Sequence, residues 1–282
     1  MARIVMGNLG GALAVIQSRE VLAELTSEWS DVTIIQRTIR NDQSGDEALL
    51  AALQEGVINI GIQRIDQIPT ALPDGIVLAA VTRRLEPRSA LVARGTKHLD
   101  DLAENATIGV MTDRDGSVLN SGHKRFQITR LSGNLEENLG LLASREITAL
   151  IVPASTLLAL DLRPHIDALL DHETFCPPPG QGAVGLLVRE DDDLAIDIAY
   201  SLQHRPSFER ISAERSFASS VAAPYQVGAL ATLTDDGGLK LFATITDPTT
   251  TLKASLIGKI DRAGQLGKEL AEDMLEQLAA AN

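Results

Sequence analysis

Short apolar runs alternate with amphipathic segments along the chain, and this alternation limits the possible folds more than any other feature. Val32–Ile35 is rich in β-branched residues, which favour strands. Leu13–Leu25 instead carries its apolar residues at helical spacing. Segments of the two kinds follow each other nearly to the C-terminus, where an amphipathic segment, Gly264–Ala280, closes the chain. The pattern predicts an α/β protein of two lobes followed by a small α+β tail.

Length and charge disfavour several classes of protein. With 282 residues, the chain is long enough for two or three domains. No apolar run reaches the roughly 18 residues that a membrane helix needs, and the N-terminal Ile4–Met6 run lacks a signal-peptide core. The net charge of −13 disfavours nucleic acid and anionic membranes as partners. The single cysteine, Cys176, cannot form an internal disulfide. We therefore expect a cytoplasmic protein with no membrane or nucleic-acid partner.

The sequence lacks the spacings that are typical of metal sites. A zinc site commonly uses two histidines on one helix face together with a carboxylate, or a set of thiolates. One cysteine cannot supply such a set, and the histidines are scattered: His98, His123, His165, His172 and His204. We predict no metal centre.

Several short segments stand in the order and spacing of one known family, and their collinearity is more specific than any one of them. They are Gly180–Gly185, Arg189–Asp192, Ala213–Phe217, Ile68–Thr70, Leu72–Gly75 and Glu86–Arg88. On these segments the chain resembles the porphobilinogen deaminase (hydroxymethylbilane synthase) family over nearly its whole length. The resemblance implies three domains, namely two periplasmic-binding-protein-like α/β lobes with the active cleft between them and a small α+β C-terminal domain. It places the first lobe at residues 1–93 and 180–197, the second at 94–179 and the C-terminal domain at 198–282.

The resemblance assigns the family's acid/base aspartate to Gln67 and the lysine before it to Asp66, in the loop after the strand-like Ile58–Ile62. Glutamine cannot transfer a proton near neutral pH. Asp66 is one residue away and could take over the role through a changed loop. Because adjacent residues of an extended segment point to opposite sides, we expect Asp66 to be a solvated loop carboxylate. We predict no catalytic residue at either position.

The family's dipyrromethane cofactor is attached to a cysteine, and the resemblance places Tyr225 at that position. Phenols are almost wholly protonated at pH 7, so a tyrosine does not replace a thiolate as a soft nucleophile. Cys176, the only thiol, lies far upstream in a proline-rich segment, where we expect it to be buried like a small apolar residue. We therefore predict that dipyrromethane is absent and that the chain carries no cofactor.

Few of the family's carboxylate-binding arginines remain. Leu9 stands where the resemblance expects an arginine, and the family's lysine-rich lid is shortened to Asn41–Asp46, with two aspartates. The surviving candidate ligand contacts are Gly10, Gly11, Arg114, Gly133 and Asn134. Turn amides at a helix start and an arginine both favour an anion. We therefore expect a small anionic molecule as a partner, bound in the cleft between the lobes.

The joint change of the cofactor position, the carboxylate position and most of the arginines favours a catalytically inactive or repurposed member of the family. Such a protein would bind a small molecule or a partner protein in the inter-lobe cleft. One alternative is an active hydroxymethylbilane synthase that converts porphobilinogen to hydroxymethylbilane with displaced residues. Another is an interaction subunit that stabilises a true enzyme of the same pathway.

Overall fold

The chain folds into two compact units in a computed structural model that describes residues 2–39, 45–122, 125–131, 135–246 and 251–281. The first unit comprises Met1–Leu85 and Gly182–Glu209. The second comprises Glu86–Gln181 and Arg210–Asn282. The small C-terminal sheet thus belongs to the same unit as the second lobe. The boundaries of the three domains that the sequence suggests stay a prediction.

The strands fall into three sheets. In chain order they are β1 (Ala2–Asn8), β2 (Val32–Thr38), β3 (Ile60–Arg64), β4 (Ile76–Val81), β5 (Ser89–Val92), β6 (Thr107–Val110), β7 (Gln127–Arg130), β8 (Ala149–Pro153), β9 (Ala168–Leu169), β10 (Val184–Arg189), β11 (Gln226–Leu233), β12 (Leu239–Thr246) and β13 (Thr251–Gly258).

The helices lie between these strands and at the C-terminus. They are α1 (Ala12–Glu28), α2 (Gly45–Gln54), α3 (Asp113–Asn120), α4 (Leu135–Ala143), α5 (Ala154–Ala159), α6 (Asp193–Tyr200), α7 (Arg205–Ser220) and α8 (Ala263–Ala281).

The first unit is built on a five-stranded sheet of order β2-β1-β3-β10-β4. Strand β1 is parallel to β2 and β3, whereas β10 is antiparallel to β3 and β4. The apolar runs that the sequence marks as strands fill its core, with Met6, Ile60 and Leu186 fully buried. Gly185 allows β10 to lie close to the segment after β3, because a Cβ there would come within 2.6 Å of Ile65 Cδ1.

The second lobe contains a five-stranded sheet of order β7-β6-β8-β5-β9. Strand β6 is parallel to β7 and β8, and β5 is antiparallel to β8 and β9. Leu91, Ile108 and Ile151 form part of its buried core. Its arrangement of two parallel pairs and two antiparallel pairs repeats that of the first unit, as expected for two related lobes.

The C-terminal part is an antiparallel sheet of order β11-β12-β13, packed against α8. Leu266, Leu270, Met274 and Leu278 recur every four residues along α8 and are buried in the core of this part. The α/β class with two mixed sheets and a small additional sheet is therefore confirmed. Among the helices of the described residues, none is long and apolar enough to cross a bilayer.

Candidate functional site

A short 3₁₀ turn, Ile65–Gln67, follows β3 at the position of the family's acid/base loop. The Ile65 N–H donates to the carbonyl of Ala183 at 3.0 Å, and the Ile68 N–H donates to the carbonyl of Ile65 at 3.1 Å. The Ile65 side chain is buried. These contacts fix the turn against the segment that enters β10, so the side chains of the turn have defined directions.

Asp66 and Gln67 have different surroundings in this turn. Gln67 is exposed, whereas the Asp66 side chain is only 8% exposed and its Oδ2 lies 3.1 Å from Nη2 of Arg64. The expectation that Asp66 is a solvated loop carboxylate is therefore wrong. The 3₁₀ turn directs this side chain inward, where Arg64 compensates its charge.

The Arg64–Asp66 pair uses one atom of each partner. Among the described residues, Arg64 Nε and Asp66 Oδ1 are buried and have no hydrogen-bond partner. A bidentate arginine–carboxylate pair uses two N–H groups and both carboxylate oxygens. The pair in this structure is therefore a single contact and not a bidentate one.

The glycine turn after β1 lies at the same edge of the sheet as the 3₁₀ turn. Strands β1 and β3 are parallel, with Gly7 paired to Gly61, and ligands of α/β sheets bind beyond the carboxyl ends of such strands. Gly10 and Gly11 both have φ of +80°, which a side chain would disfavour. The buried Asn8 accepts the Gly10 N–H at 2.9 Å, so one of the two amides predicted to contact an anion already has an internal partner.

Arg114 is placed in the second unit as the second residue of α3, whose N-cap is Thr112. It is 9% exposed. Its Nε donates to the carbonyl of Val227 at 2.7 Å, its Nη2 donates to the carbonyl of Cys176, and its Nη1 pairs with Asp115. Burial lowers the pKa of Arg114 from its usual value, and the charge of Asp115 opposes that shift. These contacts give Arg114 a structural role, while its ligand contact stays a prediction.

Two further candidate ligand contacts, Gly133 and Asn134, lie outside the described residues, as do residues 41–44 of the shortened lid. They too stay predictions.

Tyr225 and Cys176 are close to the same strand, although they are far apart in the sequence. Tyr225 precedes β11 and packs, partly buried, against the C-terminal core. Cys176 is 2% exposed, and a Cβ on Gly228 of β11 would lie 2.9 Å from its Cβ. Burial raises the pKa of the Cys176 thiol to about 12. The predicted burial of Cys176 is confirmed, whereas its proximity to β11 had no signal in the sequence.

Glu214 on α7 makes two long-range contacts that nothing in the sequence indicates. It is fully buried. Its Oε2 accepts the N–H of Gly180 at 2.7 Å, and its Oε1 accepts the N–H of Ala231 at 2.8 Å. A buried carboxylate with two charge-assisted hydrogen bonds to separate backbone segments fixes those segments relative to each other.

A cavity of about 1410 Å³ lies within the second unit. Its wall includes the end of α3, the segment 168–176 and residues of β12 and β13. Phe126 and Phe175 contribute apolar surface, whereas Asp171 and Lys253 contribute opposite charges. The mixed lining does not select one class of ligand.

Comparison with known families matches residues 4–197 to the family model described as "Porphobilinogen deaminase, dipyromethane cofactor binding domain". The porphobilinogen deaminase of Thermus thermophilus is 35% identical over 98% of this chain and 97% of its own length. That of Deinococcus radiodurans is 33% identical over 99% of this chain and 97% of its own length. That of Chromobacterium violaceum is 30% identical over 98% and 95%, respectively.

Among solved structures, a lipoprotein of Bacillus subtilis has a TM-score of 0.50 with this chain at 13% identity, covering 72% of this chain and 90% of that one. At this identity the likeness concerns the fold alone. It agrees with the binding-protein-like lobes expected from the sequence.

The expectation that dipyrromethane is absent is wrong, because the family domain that matches residues 4–197 is the domain that binds this cofactor. The residue that carries the cofactor is a separate question. Cys176, the only thiol of the chain, is buried with a raised pKa, and Tyr225 stands at the position that the resemblance assigns to the family's cysteine.

Proposed function

The chain belongs to the porphobilinogen deaminase family, and we propose that it acts in tetrapyrrole biosynthesis by converting porphobilinogen to hydroxymethylbilane. The observation that carries this proposal is the extent of the similarity, which covers 98% of this chain and 97% of the Thermus thermophilus deaminase. Both lobes and the C-terminal sheet fall within it. The small anionic partner expected from the sequence is then a pyrrole that bears carboxylates.

Under this proposal, Asp66 is the residue of the 3₁₀ turn that can exchange a proton. Release of an amine needs a group that gives up a proton, and the amide of Gln67 cannot do so. Asp66 lies next to Gln67 and is held by Arg64. Because its side chain is 8% exposed, the turn has to open before Asp66 reaches a substrate, and we expect slower turnover than from a solvent-facing aspartate.

A second candidate function is the binding of carboxylate-bearing pyrroles without turnover. The exposed Gln67 favours it, because an amide at that position can donate and accept hydrogen bonds to a ligand but cannot transfer a proton. The partner protein and the cytoplasmic location expected from the sequence stay predictions under either candidate.

Turnover and binding are separable in one experiment. Purified protein is incubated with porphobilinogen, its consumption and the formation of uroporphyrin are followed, and binding is measured by calorimetry. If the first proposal holds, turnover exceeds the enzyme-free control, and Asp66→Asn lowers it by about two powers of ten or more. Asp74→Asn is the matched control, because Asp74 is an exposed carboxylate of the following loop. Binding without turnover would support the second candidate, and the absence of both would contradict the two candidates together.

A further inference from the structure

Cys176–Gly180, the sequence Cys-Pro-Pro-Pro-Gly, runs beside β11 and is called the proline strap below. The N–H of Ala229 in β11 donates to the carbonyl of Pro177 at 3.0 Å. Strand β11 is the end strand of its sheet, with β12 on its other side. Because three of the five strap residues are prolines, which lack an N–H, the strap cannot pair with β11 through a regular ladder. Other groups have to hold it there.

Arg114 holds the beginning of the proline strap. Its Nη2 donates to the carbonyl of Cys176, and its Nε donates to the carbonyl of Val227 at 2.7 Å. One guanidinium thus joins the first strap residue to β11. The planar arrangement of the guanidinium donors suits this bridging of two carbonyls, because the N–H directions are fixed relative to each other.

Glu214 holds the end of the proline strap as a hydrogen-bond acceptor, whereas Arg114 is a donor. Its carboxylate accepts the N–H of Gly180 at 2.7 Å and the N–H of Ala231 at 2.8 Å. The β11 residues that contact Arg114, the strap and Glu214 are Val227, Ala229 and Ala231. They alternate along the strand, so their backbone groups point to the same side.

Gly228 allows the strap to come this close. A Cβ at this position would lie 2.5 Å from Arg114 Nη2, 2.7 Å from Thr244 Oγ1 and 2.9 Å from Cys176 Cβ. Two of these atoms belong to the strap or to the side chain that holds it. Any larger residue would therefore push the strap away from β11.

We infer that Arg114 and Glu214 form a two-point clamp that holds the proline strap on the edge of β11, and that the strap opens as a local unit when either clamp residue is lost. The carbonyl at the beginning of the strap is held by a buried cation, and the N–H at its end is held by a buried anion. Removal of either charge leaves backbone groups of both the strap and β11 without their partners.

Cys176 is a built-in probe of this opening, because it is the first strap residue and the only thiol of the chain. The experiment measures the rate at which a thiol reagent labels the native protein, for the wild type, Arg114→Met, Arg114→Lys, Glu214→Gln and Gly228→Ala. Arg163→Met is the matched control, because Arg163 is an exposed arginine of the same unit.

We expect slow labelling of the wild type and an increase of about tenfold or more in Arg114→Met and Glu214→Gln, the size that follows from losing hydrogen bonds to a charged group. In Glu214→Gln, the NH₂ group of the new amide would face the N–H of Gly180 or Ala231, so two hydrogen-bond donors would oppose each other. Arg114→Lys should label at an intermediate rate, because the lysine ammonium keeps the positive charge but lacks the fixed donor geometry with which the guanidinium bridges two carbonyls. Arg163→Met should stay within about twofold of the wild type.

The dependence of labelling on urea distinguishes local opening from global unfolding. A local strap opening exposes little surface, so the labelling rate should rise much less steeply with urea than the global unfolding equilibrium does. Labelling that follows global unfolding in the wild type and in every variant would overturn the proposal, as would clamp variants that label at the rate of Arg163→Met. Should Arg114→Met fail to fold, Glu214→Gln and Gly228→Ala decide the outcome, because both are expected to label faster than the wild type.

Discussion

Arg64 and Asp66 form an ion pair across the end of β3, with Nη2 and Oδ2 3.1 Å apart, while Gln67 beside them faces solvent. The pair turns the only carboxylate of the 3₁₀ turn inward and presents an amide at the surface. The chemistry available at this edge of the sheet therefore depends on two neighbouring residues whose directions are set by one turn.

Replacing Arg64 by Met should destabilise the protein. The substitution leaves the Asp66 carboxylate buried without its cation, and the loss of a hydrogen bond to a charged group costs about 1–3 kcal/mol. Because Arg64 is about a quarter exposed, we expect the lower half of that range. The free energy of unfolding in urea measures the change. Arg83→Met, at an exposed arginine of the same unit, should leave the free energy unchanged, and equal effects of both substitutions would contradict the ion-pair role.

Placing a carboxylate at position 67 should increase porphobilinogen turnover. An exposed aspartate in this turn can transfer a proton, and a positioned acid or base typically contributes about two to four powers of ten in rate. Gln67→Asp is therefore expected to exceed the wild type. Gln67→Asn is the matched control, since it has the same size as aspartate without the acidic group. A rise of similar size in both variants would show that the size of the residue, and not its acidity, matters.

The Cys176 thiol should make stability fall at alkaline pH. Burial raises its pKa from 9.0 to about 12, so the folded state holds the proton more tightly than the unfolded state does. This contribution is complete below pH 9 and is lost as the pH rises from about 9 to about 12, at up to about 1.4 kcal/mol per pH unit. The measurement is the free energy of unfolding in urea for the wild type and Cys176→Ala at pH 8 and pH 10.5. The difference between the two proteins isolates the thiol's contribution, because all other titrating groups are common to both. A constant difference between the two proteins would contradict the assignment.

A methyl group at Gly185 should destabilise the first unit. It would come 2.6–2.8 Å from the terminal methyl groups of Ile65, Ile68 and Leu78, and such overpacking costs about 1–3 kcal/mol. It would also displace the turn that carries Asp66. Thermal or urea unfolding of Gly185→Ala measures the cost. Gly140→Ala in α4, where a Cβ meets no other atom within 4 Å, should instead stabilise the protein by up to about 1 kcal/mol, and a loss there would contradict the steric argument.

The α/β class could be predicted from the sequence because it depends on local patterns. Val32–Ile35 and Leu13–Leu25 lie within β2 and α1, where burial of alternate or helically spaced residues is encoded in neighbouring positions. The amphipathic closing segment, which forms α8, could be predicted for the same reason.

The inward direction of Asp66 could not be predicted, because an extended segment and a 3₁₀ turn place adjacent side chains differently. Contacts between distant segments were also missed. Glu214 contacts Gly180 and Ala231, and Arg114 contacts Val227, which is 113 residues away. No short-range spacing marks such pairs. The sequence also does not distinguish a buried structural arginine from one that binds a substrate.

The proline strap also limits the pairing of the C-terminal sheet with strands of other molecules. An uncovered end strand offers its backbone groups to strands of other molecules, and such pairing leads to aggregation or domain swapping. Here the open side of β11 is occupied by Cys176–Gly180, and the three prolines have no N–H to offer to a further chain. The sheet therefore terminates at this side in a segment that is poorly suited to recruiting another strand.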